Sequence, residues 1–171
     1  MNKRTGPTQM GQSILVVMDH VPGFLGALQA EISTFPDIAN KSFTLLCCCP
    51  TRYWEHGGAD DPEVIRDIDA VEDAREAQHR RIEHCLEQAR TMLLNAGVPA
   101  SHILSKTITE VDSLMTATMT EVRDHFYSGV MITGYHDDIV NRLRGGGLTD
   151  IFRRTPKVEV LIIDLETMIR V

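Results

Sequence analysis

Five short segments with the character of β-strands alternate with stretches of helical pattern along this chain, and this alternation constrains the fold more than any other feature. Segments 14–18, 43–49, 129–133 and 158–163 are rich in apolar and β-branched residues, which is typical of buried strands. A more polar segment, 102–108, predicts a strand at a sheet edge. The stretches between the strands carry apolar residues at helical spacing, so we predict helices over about 24–35, 62–95, 111–126 and 148–154. This order predicts an α/β fold, a five-strand parallel sheet with helices on both faces and right-handed crossovers.

Length and charge limit the classes of function. The chain has 171 residues, which fits one domain, and its 17 basic and 24 acidic residues give a formal net charge of −7. An acidic chain has no global field that attracts nucleic acid or anionic lipid, so we expect neither as a partner. The longest apolar run, 43–49, is far too short to span a membrane, and without a targeting signal we expect a cytoplasmic location. Residues 1–12 are polar and are predicted to be a disordered segment before a domain over 13–171.

The residues that could carry chemistry do not form a catalytic pattern. Cys47, Cys48 and Cys49 are consecutive in a predicted strand, which favours small core residues in a reducing compartment over a disulfide framework or a metal site. The sequence has no Gly-x-Ser-x-Gly elbow, no Walker loop and no cluster with metal-ligand spacing. We therefore predict no catalytic residue and no metal-binding residue, and an enzyme is the less favoured interpretation.

A series of motifs resembles those of the universal stress protein family. The first strand ends in Asp, the long helix runs into an Ala-Gly-Val turn, the fourth strand ends in a variant of Gly-x-His-Gly, and a glycine-led helix and a proline precede the last strand. The matching segments are Ile14-Leu-Val-Val-Met-Asp19, Asn95-Ala-Gly-Val98, Gly134-Tyr-His-Asp137, Gly146-Gly-Leu-Thr-Asp150 and Thr155-Pro-Lys-Val-Glu-Val160. The resemblance covers about residues 13–164. It implies a single-domain, three-layer α/β/α, Rossmann-like fold of the HUP type with strand order 3-2-1-4-5.

The same resemblance implies an adenine nucleotide, ATP or AMP, bound at the ends of strands 1 and 4, with Mg2+ as an accompanying ion. Glycines in such a loop let backbone N–H groups approach phosphate oxygens, and a helix N-terminus adds a favourable dipole. The residues expected to bind are Asp19, Cys48, Cys49, Gly134, His136, Arg144, Gly145, Gly146, Gly147, Leu148 and Thr149. The implied role is regulatory, with homodimerisation through the strand 158–163. The implied catalytic activity is at most a slow hydrolysis of ATP.

Two departures from the family pattern keep alternatives open. Asp137 stands where the family has its second loop glycine, and Gly147 stands where it has Ser or Thr. A carboxylate aimed at a triphosphate repels it unless a metal intervenes. One alternative is therefore a family member without nucleotide that acts through homodimerisation and protein contacts. Another is a nucleotidyl-transfer or thiolation enzyme of the wider HUP-like class, although the Ser-Gly-Gly-x-Asp-Ser and His-x-Gly-His signatures are missing near the first strand.

Each candidate residue also has a plainer interpretation. The segment 145–147 could be a connector, Asp19 a helix-capping or loop residue, and His136 a residue that turns the chain at a strand end. The segment 51–62, which contains Trp54, is a surface loop or a lid.

Overall fold

The computed structural model describes residues 12–18, 23–48, 68–109, 114–134 and 159–164. The strands are β1 (Ser13–Met18), β2 (Ser42–Cys48), β3 (Ile103–Ile108), β4 (Gly129–Gly134) and β5 (Glu159–Asp164). The helices are α1 (Phe24–Ile32), α2 (Ile68–Asn95) and α3 (Leu114–Asp124), with short 3-10 turns at Ile38–Asn40 and Ala100–His102. The predicted N-terminal segment before Gln12, the predicted helix 148–154 and residues 62–67 of the predicted long helix lie outside these ranges.

The strands form one parallel sheet in the order β3-β2-β1-β4-β5, which confirms the predicted fold class and strand order. β1 is central, and its residue Val16 aligns with Leu45 of β2 on one side and with Met131 of β4 on the other. All residues from Ile14 to Met18 are buried. A central strand that contacts helices on both faces needs apolar residues at every position. The position of β1 in the sheet therefore accounts for its continuous run of apolar residues.

Alternate side chains of β1 enter two separate cores. Val16 and Met18 pack with Leu28 of α1 and Leu93 of α2 on one face of the sheet. Leu15 and Val17 pack on the opposite face with Val122 of α3. Because successive side chains of a strand point to opposite faces, one strand serves both cores and the domain has three layers.

The edge position predicted for β3 is confirmed. β3 lies at one end of the sheet, and its residues Ser105 and Thr107 are exposed. Among the α2 residues whose side chains are described, Ile82, Leu86, Ala89 and Leu93 are buried, and their spacing of three and four residues marks one helix face.

Helix ends follow local hydrogen bonds. The predicted helix 24–35 ends at Ile32, because the hydroxyls of Ser33 and Thr34 donate to the carbonyls of Gln29 and Glu31. α2 ends at Asn95, as predicted, and Gly97 lies two residues beyond this end with φ 93°. The N–H of Val98 donates to the carbonyl of Leu93 at 3.0 Å, the pattern of a Schellman cap.

Candidate functional site

The connections that leave β1 and β4 diverge. After β1 the chain continues to β2, on one side of the β1–β4 pair, whereas β5, the strand after β4, lies on the other side. In open parallel sheets generally, such a switch point leaves a crevice outside the carboxyl ends of the two strands. In open parallel sheets this crevice is the usual place for a ligand.

Two of the sequence-predicted binding residues lie at this carboxyl edge. Gly134 is the last residue of β4, and Cys48 is the last residue of β2, where it aligns with Ile108 of β3. β1 ends at Met18, so Asp19 is the next residue in the chain, but it lies outside the described residues. The other predicted binding residues also lie outside the described residues, so their roles remain predictions: Cys49, His136, Arg144, Gly145, Gly146, Gly147, Leu148 and Thr149.

Buried sulfur atoms underlie the edge between β1 and β2. The Cys47 thiol and the Met18 side chain are each 1% exposed, and the thiol Sγ donates a weak hydrogen bond to the Met18 carbonyl at 3.7 Å. Cys47 packs with the core residues on its face of the sheet. This thiol therefore stabilises the end of β1 and is not accessible to act as a nucleophile.

α1 begins after Gly23 without a side-chain cap. Gly23 precedes the helix with φ 90°, a left-handed conformation that favours glycine, and it accepts the hydrogen bond of the Ala27 N–H at 3.0 Å. No acidic side chain lies in the first turn of α1. The positive end of the helix dipole is thus not neutralised from within this turn.

A buried carboxylate on the opposite face was not found by sequence reasoning. Glu121 of α3 is 6% exposed, and its Oε1 accepts hydrogen bonds from Lys106 Nζ at 2.5 Å and from the Tyr127 hydroxyl at 2.6 Å. The Nδ1 atom of His125 lies 3.3 Å from the same oxygen. In the sequence Glu121 resembles an ordinary helix-surface glutamate, and only its position beside Val122 in the apolar stripe hints at burial.

Charge and burial act in opposite directions on this carboxylate. Burial alone raises the pKa of Glu121, but the hydrogen bonds from Lys106 and Tyr127 and the nearby positive charge outweigh it and lower the pKa. Burial, together with the hydrogen bond to Glu121, raises the pKa of Tyr127, so its phenol stays protonated. The group connects the edge strand β3 to α3 and has the character of a structural ion pair.

The described ranges meet the requirements of neither a metal site nor a membrane-spanning helix. Within these ranges no three His, Cys, Asp or Glu residues lie together as a metal site would require. None of the helices there has the length and apolarity needed to cross a membrane.

The comparison with solved structures identifies a similar architecture. The chain resembles the crystal structure of a protein from the universal stress protein family of Burkholderia pseudomallei, with a TM-score of 0.55. The two share one fold. Their sequences are 20% identical, and the match covers 92% of this chain and 98% of the other. No family model and no curated protein matches the chain.

Proposed function

We propose that this protein is a universal stress protein that binds an adenine nucleotide at the carboxyl ends of β1 and β4. The observation that carries the proposal is the divergence of the chain at this strand pair, on a fold shared with a universal stress protein structure. ATP, with Mg2+, or AMP is the proposed ligand. The proposed role is that of a regulatory module, because no catalytic motif accompanies the site.

The chemistry of the loop after β4 supports phosphate as the bound group. Gly134 ends β4, and the sequence returns to glycine at 145–147, directly before the predicted helix 148–154. Consecutive glycines can present backbone N–H groups to phosphate oxygens without steric interference. Arg144 adds a guanidinium that pairs with phosphate through two parallel hydrogen bonds, and Leu148 and Thr149 begin the helix whose N-terminus attracts an anion.

The base and the ribose would lie toward the other strand ends. We propose that Asp19 contacts the nucleoside and that Cys48 and Cys49 border the base, with His136 close to the phosphates. In this arrangement the uncapped start of α1 adds a second favourable dipole near the ligand.

A reciprocal pair of variants tests the site. Gly146→Val with Gly147→Val places side chains where phosphate would approach, so ATP affinity should fall by at least about tenfold. Asp137→Gly removes a carboxylate from the loop and should tighten ATP binding. Equilibrium dialysis with labelled ATP measures both. Unchanged affinity in the double variant would show that this loop is not the phosphate site.

We also propose that two copies of the chain pair through β5. β5 lies at one end of the sheet, and its sequence contains four consecutive apolar residues, 160–163. An unpaired edge of this kind favours association with another strand. Hydrogen exchange tests the proposal: all β5 amides should be protected in a dimer, whereas alternate amides of the opposite edge strand, β3, should exchange freely. A concentration-independent monomer in sedimentation equilibrium would contradict pairing.

A second candidate function follows from Asp137 and Gly147, which depart from the loop of nucleotide-binding relatives. In this alternative the chain binds no nucleotide and acts through homodimerisation and protein contacts. It predicts that Asp137→Gly changes nothing and that no adenine nucleotide binds the wild type.

A further inference from the structure

A cavity of about 260 Å3 lies at the amino end of the sheet, at the edge opposite to the proposed nucleotide site. It is bordered by the first residues of β1 and β4 and by the segment that follows α1. Its apolar wall includes Ile14, Phe35, Val130 and Met131. Small-molecule sites usually occupy about 300–1,000 Å3, so a ligand of this cavity must be small.

The polar wall of the cavity consists mainly of hydrogen-bond acceptors. The hydroxyl of Thr34 donates to the carbonyl of Glu31 at 2.8 Å, and the hydroxyl of Ser128 donates to the carbonyl of Ser13 at 2.9 Å. Both protons are therefore engaged, and the hydroxyl oxygens offer lone pairs. The wall also contains Gln12, whose side-chain oxygen accepts a hydrogen bond from Lys41, and Glu31, which contributes a carboxylate. A ligand must supply donors to match it.

The carboxylate of Glu31 is not neutralised by a neighbour among the described residues. It lies in the last turn of α1, which contains no basic residue, and its Oε2 lies 3.4 Å from the Thr34 hydroxyl oxygen. The helix dipole there is negative and favours a cation. The buried ammonium of Lys41 does not serve this purpose: it donates to the side-chain oxygen of Gln12 and lies 5.8 Å from the centre of the Phe35 ring.

We propose that this cavity binds a small primary ammonium compound with an apolar or aromatic body. The ammonium group donates to the Glu31 carboxylate and to the Thr34 hydroxyl oxygen. The body of the ligand packs against Ile14, Phe35 and Met131, where it is removed from water. The site is independent of the proposed nucleotide function, because it lies at the other edge of the sheet.

Phenethylammonium is a suitable probe, and phenethyl alcohol is its uncharged analogue. In amide NMR spectra of the wild type, phenethylammonium should give saturable shifts at Thr34, Phe35 and Gly129, and the alcohol should bind much more weakly. Shifts at Met18 and Gly134, at the carboxyl edge, should stay small. Absence of saturation, or equal binding of the alcohol, would overturn the proposal.

A charge-removing variant and a matched control complete the test. Glu31→Gln keeps the shape of the side chain and should weaken phenethylammonium binding by about tenfold or more, because a charge-assisted hydrogen bond is lost. Glu83→Gln removes an exposed carboxylate of α2 and should bind as the wild type does. Equal affinities of Glu31→Gln and wild type would refute the role of Glu31. Binding of Mg-ATP to the same samples should be unaffected by Glu31→Gln, so the two proposals fail separately.

Discussion

The Tyr127 hydroxyl donates a 2.6 Å hydrogen bond to Oε1 of Glu121, six residues earlier in the chain. Both side chains are buried, and Thr44 of β2, also buried, hydrogen-bonds to the same phenol. These side chains form a hydrogen-bond network that connects the sheet to α3 inside an otherwise apolar layer. Buried polar groups stabilise a fold only while each keeps its partner, so this network gives sharp expectations for substitutions.

Tyr127→Phe should destabilise the protein by about 1–2 kcal/mol, because one buried donor to Glu121 is lost and Thr44 is left without this partner. Urea unfolding followed by circular dichroism measures the change in the free energy of unfolding. The adjacent Phe126 is 99% exposed, so Phe126→Ala should change this free energy by less than about 0.5 kcal/mol. If Tyr127→Phe is as harmless as Phe126→Ala, the hydrogen bond does not contribute to stability.

The lowered pKa of Glu121 predicts a specific pH dependence. A carboxylate whose pKa is lower in the folded than in the unfolded state contributes stability above its ordinary value, here 4.5, and loses that contribution as the pH falls through the folded pKa. Glu121→Gln removes this titration. The difference in unfolding free energy between wild type and Glu121→Gln should therefore be constant at neutral pH and shrink as the pH drops below 4.5. A difference that grows on acidification would show the opposite sign and contradict the assignment.

Two neighbouring leucines of α2 test the position of the core. Leu93 is fully buried against β1 and α1, whereas Leu94 is 38% exposed. Leu93→Ala should cost about 2–5 kcal/mol because it leaves a cavity, and Leu94→Ala should cost about 1 kcal/mol or less. Urea unfolding measures the free energy of unfolding of the two variants, whose substitutions are in the same turn of α2. Equal costs would mean that α2 presents a different face to the sheet.

Alanine substitutions at two glycines should change the stability of the protein in opposite directions. Gly97 has φ 93° and an added Cβ would meet nothing within 4 Å, so Gly97→Ala should cost about 1–2 kcal/mol from backbone strain alone. Gly26 lies inside α1, where a Cβ also meets nothing within 4 Å, so Gly26→Ala should stabilise by about 0.5–1 kcal/mol. The melting temperatures of both variants measure these changes. Because neither added Cβ meets a neighbouring atom, a difference between the variants reports the backbone conformation and not a steric clash. A stabilised Gly97→Ala would contradict the left-handed cap.

The sheet was predictable because its determinants are local. The apolar run of β1, the polar character of β3 and the turn that ends α2 at Asn95 each depend on a few consecutive residues, and the predicted β1, the edge position of β3 and the end of α2 were confirmed. The strand order came from the family resemblance and was confirmed as well. The end of α1 at Ile32 was missed, because the hydroxyls of Ser33 and Thr34 compete for carbonyls that a longer helix would have used.

Sites built from distant segments could not be predicted in the same way. Lys106 and Glu121 look like separate surface charges, and only the packing of α3 near β3 brings their atoms to 2.5 Å. The amino-end cavity likewise combines Gln12, Phe35 and Ser128, which no spacing rule connects. Of the predicted nucleotide residues, Cys48 and Gly134 lie at the expected edge, and the loop between β4 and β5 remains a prediction from sequence.

The most direct test of nucleotide binding is the melting temperature of the purified wild-type protein with and without millimolar Mg-ATP, ADP and AMP. A ligand that binds only the folded state at one hundred times its Kd stabilises by about 2.7 kcal/mol, which raises the melting temperature of a domain of this size by several degrees. We predict such a rise with at least one of the three nucleotides. No rise with any of them would contradict nucleotide binding and leave homodimerisation and protein contacts as the function of the fold.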